Sequence, residues 1–269
     1  MLYGAKNGRV SFPDGEMEYL RFGTGPENLI MLPGLGDGLR SIYGMALPMA
    51  ILYRMYAKDY TVYMFSRKNT MPQGCTTEDM ARHVAQAMEI LGIKKAHFLG
   101  VSMGGMLAQH LAADYPQLVQ KLILVVTAAQ SNPVLIDSVT LWMDQARAGD
   151  HTALMDSNMK RIYSSGYYRK NKWMVPILGI TTKPESYDRF LVMAQACLDH
   201  NALSKLPAIT APTLVLGGGQ DETLGSTAAG EIAAAIPGAK LRIFPQWGHG
   251  LYEEAPEFHT EVLTFLKKD

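Results

Sequence analysis

The sequence predicts an α/β fold in which a mostly parallel sheet carries helices on both faces and receives a helical insertion. Short apolar runs alternate with helical segments along most of the chain, which is typical of a parallel sheet. That alternation stops between residues 131 and 203. A length of 269 residues suits one large domain with one insertion. We therefore assign residues 1–130 and 204–269 to the core and residues 131–203 to the insertion.

The individual elements follow from local patterns. Residues 10–12 and 17–22 are β-prone and flank the turn Pro13-Asp14-Gly15, which predicts an opening hairpin. The run 29–32 is continuously apolar, as expected for a strand buried on both faces, and the largely apolar runs 61–65, 121–126 and 213–216 predict further strands of the same parallel sheet. A helix is predicted at 41–56, with a break at Pro48, and a second helix runs from a threonine cap at 76 or 77 to residue 91. Two further helices are predicted at 227–235 and at 257–266.

The stretch around Ser102 reads Gly-x-Ser-x-Gly between an apolar run at 96–99 and a helical run at 106–113. This pattern predicts a sharp turn between a strand and a helix, with the serine in a strained backbone conformation. Gly100 and Gly104 remove the Cβ atoms that would collide in such a turn. Ser102 would then stand at a helix start, where backbone amides favour a developing anion.

This nucleophile turn and the residues that follow it resemble the α/β-hydrolase family, and the likeness covers nearly the whole chain. The resemblance implies that the mostly parallel sheet has eight strands and that the insertion at 131–203 is a helical cap. The resemblance implies Ser102 as nucleophile, Asp221 after a late apolar strand as acid, and His249 between two glycines as base. It also implies an oxyanion hole made by the backbone amides of Leu35 and Met103. In acyl transfer His249 would take the proton of Ser102 while Asp221 orients the imidazole ring.

Several residues compete for these roles. Glu222 and Asp199 are alternative acids, and His97, His110 and His259 are alternative bases. Only His249 lies in a glycine-flanked loop after a late strand, which favours it over the other three.

The proposed oxyanion loop, residues 33–38, departs from the family pattern because Pro33 stands where histidine is common. Leu35 keeps its N–H, and Gly34 and Gly36 allow close backbone approach. A plain glycine turn between a strand and a helix is the alternative interpretation. Arg67, just after a predicted strand, is expected to be solvated or to brace a loop rather than to bind substrate.

The predicted cap is rich in aromatic residues, which are expected to cover an apolar pocket. They are Trp142, Tyr163, Tyr167, Tyr168, Trp173 and Tyr187. The alternative is that they form the cap's own core. An apolar pocket would favour short to medium acyl chains over charged acids.

The sequence therefore predicts a serine hydrolase that cleaves a small or medium carboxylic ester, thioester or lactone through an acyl-enzyme, without cofactor or metal. One alternative is a ligand-binding receptor of this fold with slow turnover. Another is a carbon–carbon bond hydrolase, which the pair Gly250-Leu251 weakly disfavours because such enzymes often carry an aromatic residue directly after the catalytic histidine. Acyltransferase and cofactor-free haloperoxidase activities also occur with this triad.

Charge and cysteine usage limit the expected partners. Lysine plus arginine equals aspartate plus glutamate at 25 each, so neither nucleic acid nor a membrane is an expected partner. The expected partner is a small-molecule acyl substrate. Cys75 and Cys197 are predicted to be reduced thiols, with a single disulfide as the alternative. Residues 1–8 lack an apolar signal segment, and we expect a cytoplasmic protein.

Overall fold

The computed structural model describes residues 2–268 and contains an eight-stranded sheet. In chain order the strands are β1 (Lys6–Phe12), β2 (Gly15–Phe22), β3 (Glu27–Leu32), β4 (Tyr60–Lys68), β5 (Ala96–Val101), β6 (Val119–Val125), β7 (Thr213–Gly218) and β8 (Lys240–Phe244). Their order in the sheet is β1-β2-β4-β3-β5-β6-β7-β8. β1 pairs with β2, and β2 with β4, in antiparallel fashion, whereas β3 to β8 are mutually parallel. The predicted α/β fold is confirmed.

The helices of the core lie at both ends of the chain. They are α1 (Ala46–Leu52), α2 (Thr77–Ile90), α3 (Met103–Asp114), α9 (Ala228–Ala235), α10 (Leu251–Glu254) and α11 (Phe258–Lys267). Five helices lie between β6 and β7: α4 (Pro133–Arg147), α5 (His151–Ile162), α6 (Ser165–Asn171), α7 (Val175–Thr181) and α8 (Asp188–Leu198). All five fall inside residues 131–203, the segment assigned to the cap, whose boundaries stay a prediction.

The two faces of the sheet bury separate apolar clusters. Along β3, Ile30 and Leu32 pack into a cluster with α2, α3 and α9, whereas Leu29 and Met31 pack with α1 and α11. All four side chains are almost fully buried. Successive side chains of a strand point to opposite faces, so helices on both sides require an uninterrupted apolar run.

Two helix starts show how local sequence directs the fold. Thr76 caps α2, its hydroxyl accepting from the N–H of Asp79 while the Asp79 carboxylate accepts from the N–H of Thr76. The structure corrects the break predicted at Pro48. Helix α1 begins at Ala46, so Pro48 lies in its first turn, where the missing N–H is not needed.

Cys75 and Cys197 are both buried and free, so the alternative of a disulfide between them is wrong. Among residues 2–268, no helix combines the length and the apolar composition needed to cross a bilayer.

Candidate active site

The turn between β5 and α3 holds Ser102 in a conformation that non-glycine residues rarely adopt, with φ 52° and ψ −121°. Its N–H donates to the carbonyl of Val125 in the neighbouring strand at 2.9 Å. A Cβ on Gly100 would lie 2.5 Å from the carbonyl oxygen of Gly104, and one on Gly104 would lie 2.0 Å from that of Leu32. The turn therefore requires both glycines, for the steric reason that the sequence pattern indicates.

Three side chains predicted to act together converge at the carboxyl ends of β5, β7 and β8. The Nε2 atom of His249 lies 3.0 Å from Ser102 Oγ, and its Nδ1 atom lies 2.9 Å from Asp221 Oδ2. The histidine and the aspartate are buried. In this geometry the imidazole can accept the serine proton on one nitrogen while the carboxylate holds the other.

The surroundings of Asp221 favour its ionised form although the side chain is buried. Burial acts to raise its pKa, but the adjacent His249 and two backbone hydrogen bonds outweigh that effect and leave the pKa below its usual value. These bonds are donated by the N–H groups of Thr223 and Leu224 to Oδ1, at 2.8 and 2.9 Å. A charged carboxylate at this position can stabilise an imidazolium on His249.

The competing candidates are engaged elsewhere. Glu222 offers its backbone carbonyl, not its carboxylate, to Ser138, and Asp199 accepts from Gln195. Each of the three histidines contacts a different side chain through one ring nitrogen. The distances are 3.4 Å from His97 Nε2 to Glu27 Oε2, 3.2 Å from His110 Nε2 to the hydroxyl of Thr77, and 3.0 Å from His259 Nδ1 to the phenol of Tyr56. None of these contacts involves Ser102.

Two backbone amides lie beside the nucleophile. Leu35 opens a short 3-10 turn, Leu35–Gly38, directly after β3, and Met103 is the first residue of α3. A Cβ on Gly34 would lie 3.4 Å from the Cβ of Ser102, so this loop passes close to the serine. Within residues 2–268 neither the Leu35 N–H nor the Met103 N–H has a hydrogen-bond acceptor. Both amides are thus free to receive a substrate oxygen.

The oxyanion loop is braced by two arginines and a buried aspartate. Arg67, at the end of β4, is almost fully buried and donates to the carbonyl of Pro33 at 2.5 Å. The carboxylate of Asp37 accepts three hydrogen bonds. They come from the backbone N–H of Arg67 at 2.8 Å, from the hydroxyl of Ser66 at 2.6 Å and from the guanidinium of Arg189, on α8, at 2.6 Å. Burial lowers the pKa of Arg67 to about 10, against the opposing charge of Asp37, so the guanidinium stays protonated at neutral pH. This network holds the loop of residues 33–38 against β4 and α8.

We expect Asp37→Asn to lower the free energy of unfolding by about 3 kcal/mol, because it leaves the largely buried guanidinium of Arg189 without its ion-pair partner and removes the charge that accepts from Ser66 and from the backbone N–H of Arg67. It should also reduce kcat/KM, because the loop that carries Leu35 would lose its anchor. Urea unfolding and ester kinetics measure both effects. Asp144→Asn is the matched control, since Asp144 pairs with Arg147 at the exposed surface and its loss should change stability by less than about 0.5 kcal/mol. Equal stability of the two variants would contradict the bracing role.

A cavity of about 230 Å³ adjoins the nucleophile and the oxyanion loop, since its lining includes Val101 and Gly34, the residues directly before Ser102 and Leu35. Residues of β3, β4 and β5 line it together with residues of α1, α10 and α11. Trp142 is buried in the hydrophobic core and Trp173 is 66% exposed, and neither lines this cavity. The four tyrosines expected to cover the pocket with them are also absent from its lining, so the expected cover by the aromatic residues of the cap is wrong for this cavity.

The junction between α5 and α6 is tied to the loop that carries His249, a contact that sequence analysis did not detect. The N–H of Gly250 donates to the carbonyl of Ile162 at 2.6 Å, and the phenol of Tyr163 donates to Glu253 at 2.7 Å. A Cβ on Gly250 would lie 2.9 Å from Cδ1 of Tyr163 and 3.0 Å from the Ile162 oxygen. A side chain at position 250 would therefore collide with the ring of Tyr163.

A single protein-family model matches most of the chain. The model of a family described as alpha/beta hydrolase fold matches residues 27–256. The chain is 28% identical over 275 residues to the 2-hydroxy-6-oxo-6-phenylhexa-2,4-dienoate hydrolase of Comamonas testosteroni, covering 98% of this chain and 96% of that protein. A 2-hydroxy-6-oxononadienedioate/2-hydroxy-6-oxononatrienedioate hydrolase of Pseudomonas sp. is 27% identical over 187 residues, which span 67% of this chain and 66% of that relative.

Solved structures show the same fold. The alpha/beta hydrolase enzyme MGS-M2 from a Medee basin deep-sea metagenome superimposes with a TM-score of 0.85 at 21% identity, over 97% of this chain and 98% of its own. The enol-lactonase of Burkholderia xenovorans LB400 superimposes with a TM-score of 0.80 at 23% identity, over 97% and 100% of the two chains.

Proposed function

The chain belongs to the α/β hydrolase fold family, and from this premise we propose that it is a serine hydrolase that cleaves a carboxylic ester, lactone or thioester through an acyl-enzyme. One observation carries the proposal: a single hydrogen-bond chain joins Asp221, His249 and Ser102 with distances of 2.9 and 3.0 Å. The curated relatives are hydrolases, which agrees with this class of reaction.

In the proposed mechanism Ser102 Oγ attacks the substrate carbonyl and forms a bond to its carbon. Its proton passes to Nε2 of His249, and the charge that develops on the carbonyl oxygen is accepted by the N–H groups of Leu35 and Met103. The imidazolium then protonates the leaving alcohol, and the acyl group stays on Ser102. Water, activated by the same imidazole, hydrolyses the acyl-enzyme and restores the free serine.

Carbon–carbon bond hydrolysis is the second candidate, because the dienoate and dienedioate hydrolases named above are relatives of this chain. Two features of the site favour ester cleavage over it. The position after His249 cannot hold the aromatic residue common in such enzymes, because Tyr163 and the Ile162 carbonyl fill that space around Gly250.

The second feature is the charge of the cavity beside the nucleophile. The substrates named for those relatives are carboxylate anions, which proteins usually bind with arginine or lysine. The described residues that line this cavity include no lysine, arginine or histidine, and Glu253 is their one charged side chain. A negative pocket disfavours an anionic acyl group.

We expect p-nitrophenyl esters to turn over many times, with kcat/KM highest for acyl chains of about four to six carbons. The cavity has room for roughly eight waters at about 30 Å³ each, so a decanoyl chain exceeds it. The release of nitrophenol from a series of esters from acetate to decanoate, followed at 405 nm, measures this profile. We expect kcat/KM to fall by about tenfold or more at decanoate.

The same preparation should be given 2-hydroxy-6-oxo-6-phenylhexa-2,4-dienoate as the competing substrate. Faster cleavage of this dienoate than of any ester would move the assignment to carbon–carbon hydrolysis. A single stoichiometric release of nitrophenol would instead support a receptor with slow turnover.

A further inference from the structure

The cavity beside Ser102 contains a carboxylate without a counter-ion. Glu253, on α10, lines the cavity, and within residues 2–268 no lysine, arginine or histidine lies at ion-pair distance from it. Its one geometrically clear side-chain partner is the phenol of Tyr163, which donates at 2.7 Å. A carboxylate that lines a cavity and has no cation beside it is a candidate for binding a cationic group.

The protein around this carboxylate restricts its hydration although Glu253 as a residue remains open to solvent. The resulting desolvation raises the pKa of Glu253, in opposition to hydrogen bonds from Tyr163 and Tyr252, and the nearby Glu254 raises it further. A bound cation would relieve both effects, because it would stabilise the ionised form.

The remaining walls suit an organic cation better than a metal ion. Tyr53, Tyr56 and Tyr252 line the cavity together with methionine and leucine side chains, and Glu253 is the single carboxylate. Aromatic rings attract ammonium groups through their π faces, whereas Mg²⁺ and Ca²⁺ require several oxygen ligands. Aromatic rings combined with one carboxylate are a recognised arrangement for alkylammonium groups.

We propose that Glu253 and the tyrosines of this cavity form a subsite for a cationic alkylammonium group, so that the preferred substrate is an ester whose acyl part carries a positive charge. This inference rests on the proposed esterase function and specifies its substrate class. The subsite and the ester bond would be close together, because the same cavity reaches Gly34 and Val101 beside the oxyanion loop and the nucleophile.

The test compares three p-nitrophenyl esters with the same spacer: 4-(trimethylammonio)butanoate, its neutral isostere 5,5-dimethylhexanoate, and the anionic hydrogen glutarate. In the wild type we expect kcat/KM for the cationic ester to exceed that of the neutral ester about tenfold or more, and the anionic ester to be the poorest. In Glu253→Gln the cationic-to-neutral ratio should fall to about one. The ratio cancels any general loss of activity, because both esters share the leaving group and the triad.

Glu257→Gln is the matched control, since it removes the same charge from a position near α11 that does not line the cavity. Its ratio should equal that of the wild type. A wild-type ratio of one or less, or a ratio that Glu253→Gln leaves unchanged, would overturn the subsite while the turnover of the neutral ester still supports the esterase.

A binding measurement keeps the subsite testable if no ester is turned over. Calorimetric titration of Ser102→Ala with choline and with its neutral isostere 3,3-dimethylbutan-1-ol should show tighter binding of choline. That preference should disappear when Glu253→Gln is added. Equal binding of the two compounds would refute the subsite independently of the catalytic assignment.

Discussion

Ser102→Ala is expected to lower kcat for p-nitrophenyl butyrate by about 10⁴-fold or more and to abolish covalent labelling by a fluorophosphonate. The reason is geometric: Ser102 Oγ is the atom held 3.0 Å from His249 Nε2 in the turn after β5. Without it His249 has no hydroxyl to deprotonate, and no acyl-enzyme can form. Intact-protein mass spectrometry records the label, and steady-state kinetics record the turnover.

Two further variants act as controls for this result. Asp199→Ala and His259→Ala remove an acid and a histidine that the sequence offers as alternatives, and neither residue contacts Ser102. Both variants should label at close to the wild-type rate. Labelling that survives Ser102→Ala, or that disappears in Asp199→Ala, would refute the assigned triad.

Gly104→Ala should have the largest effect on stability of any single methyl group added near the site. The new Cβ would lie 2.0 Å from the carbonyl oxygen of Leu32 and 2.8 Å from that of Pro33. Both are backbone atoms of the segment leading to Leu35, so relief requires α3 to move away from β3. We expect the free energy of unfolding to fall by about 3 kcal/mol or more.

The same displacement should abolish most of the hydrolytic activity, because it separates the Met103 N–H on α3 from the Leu35 N–H after β3. Chemical denaturation and ester kinetics on the purified variant measure the two losses.

Gly230→Ala provides the comparison for Gly104→Ala. Gly230 lies inside α9, and a Cβ at that position meets no atom within 4 Å. Alanine there should raise the free energy of unfolding by about 0.5–1 kcal/mol through its better helix propensity. If Gly104→Ala were as stable and as active as Gly230→Ala, then the close approach of α3 to β3 would not be essential to the site.

Much of the fold, and the convergence of Ser102, Asp221 and His249, could be predicted from short stretches of sequence. The apolar run at 29–32, the turn Pro13-Asp14-Gly15 and the Gly-x-Ser-x-Gly stretch each specify their own backbone, because strand burial, turn geometry and steric freedom at glycine are local properties. The helix break predicted at Pro48 failed for a local reason as well. Proline is tolerated in a first turn, and the sequence does not state where α1 begins.

The contacts that complete the site depend on which elements become neighbours in space. Arg67 reaches the Pro33 carbonyl because β4 lies beside β3, although the two residues are 34 positions apart in the chain. The phenol of Tyr163 donates to Glu253, and its ring lies against Gly250, because the α5–α6 junction packs on the loop that carries His249. No periodicity or motif encodes such pairings, since they arise from the packing of whole elements. The sequence by itself therefore determines Ser102 as the candidate nucleophile. The contacts that hold the loop carrying Leu35, and the charge of the neighbouring cavity, are decided only by the tertiary structure, because they join residues far apart in the chain.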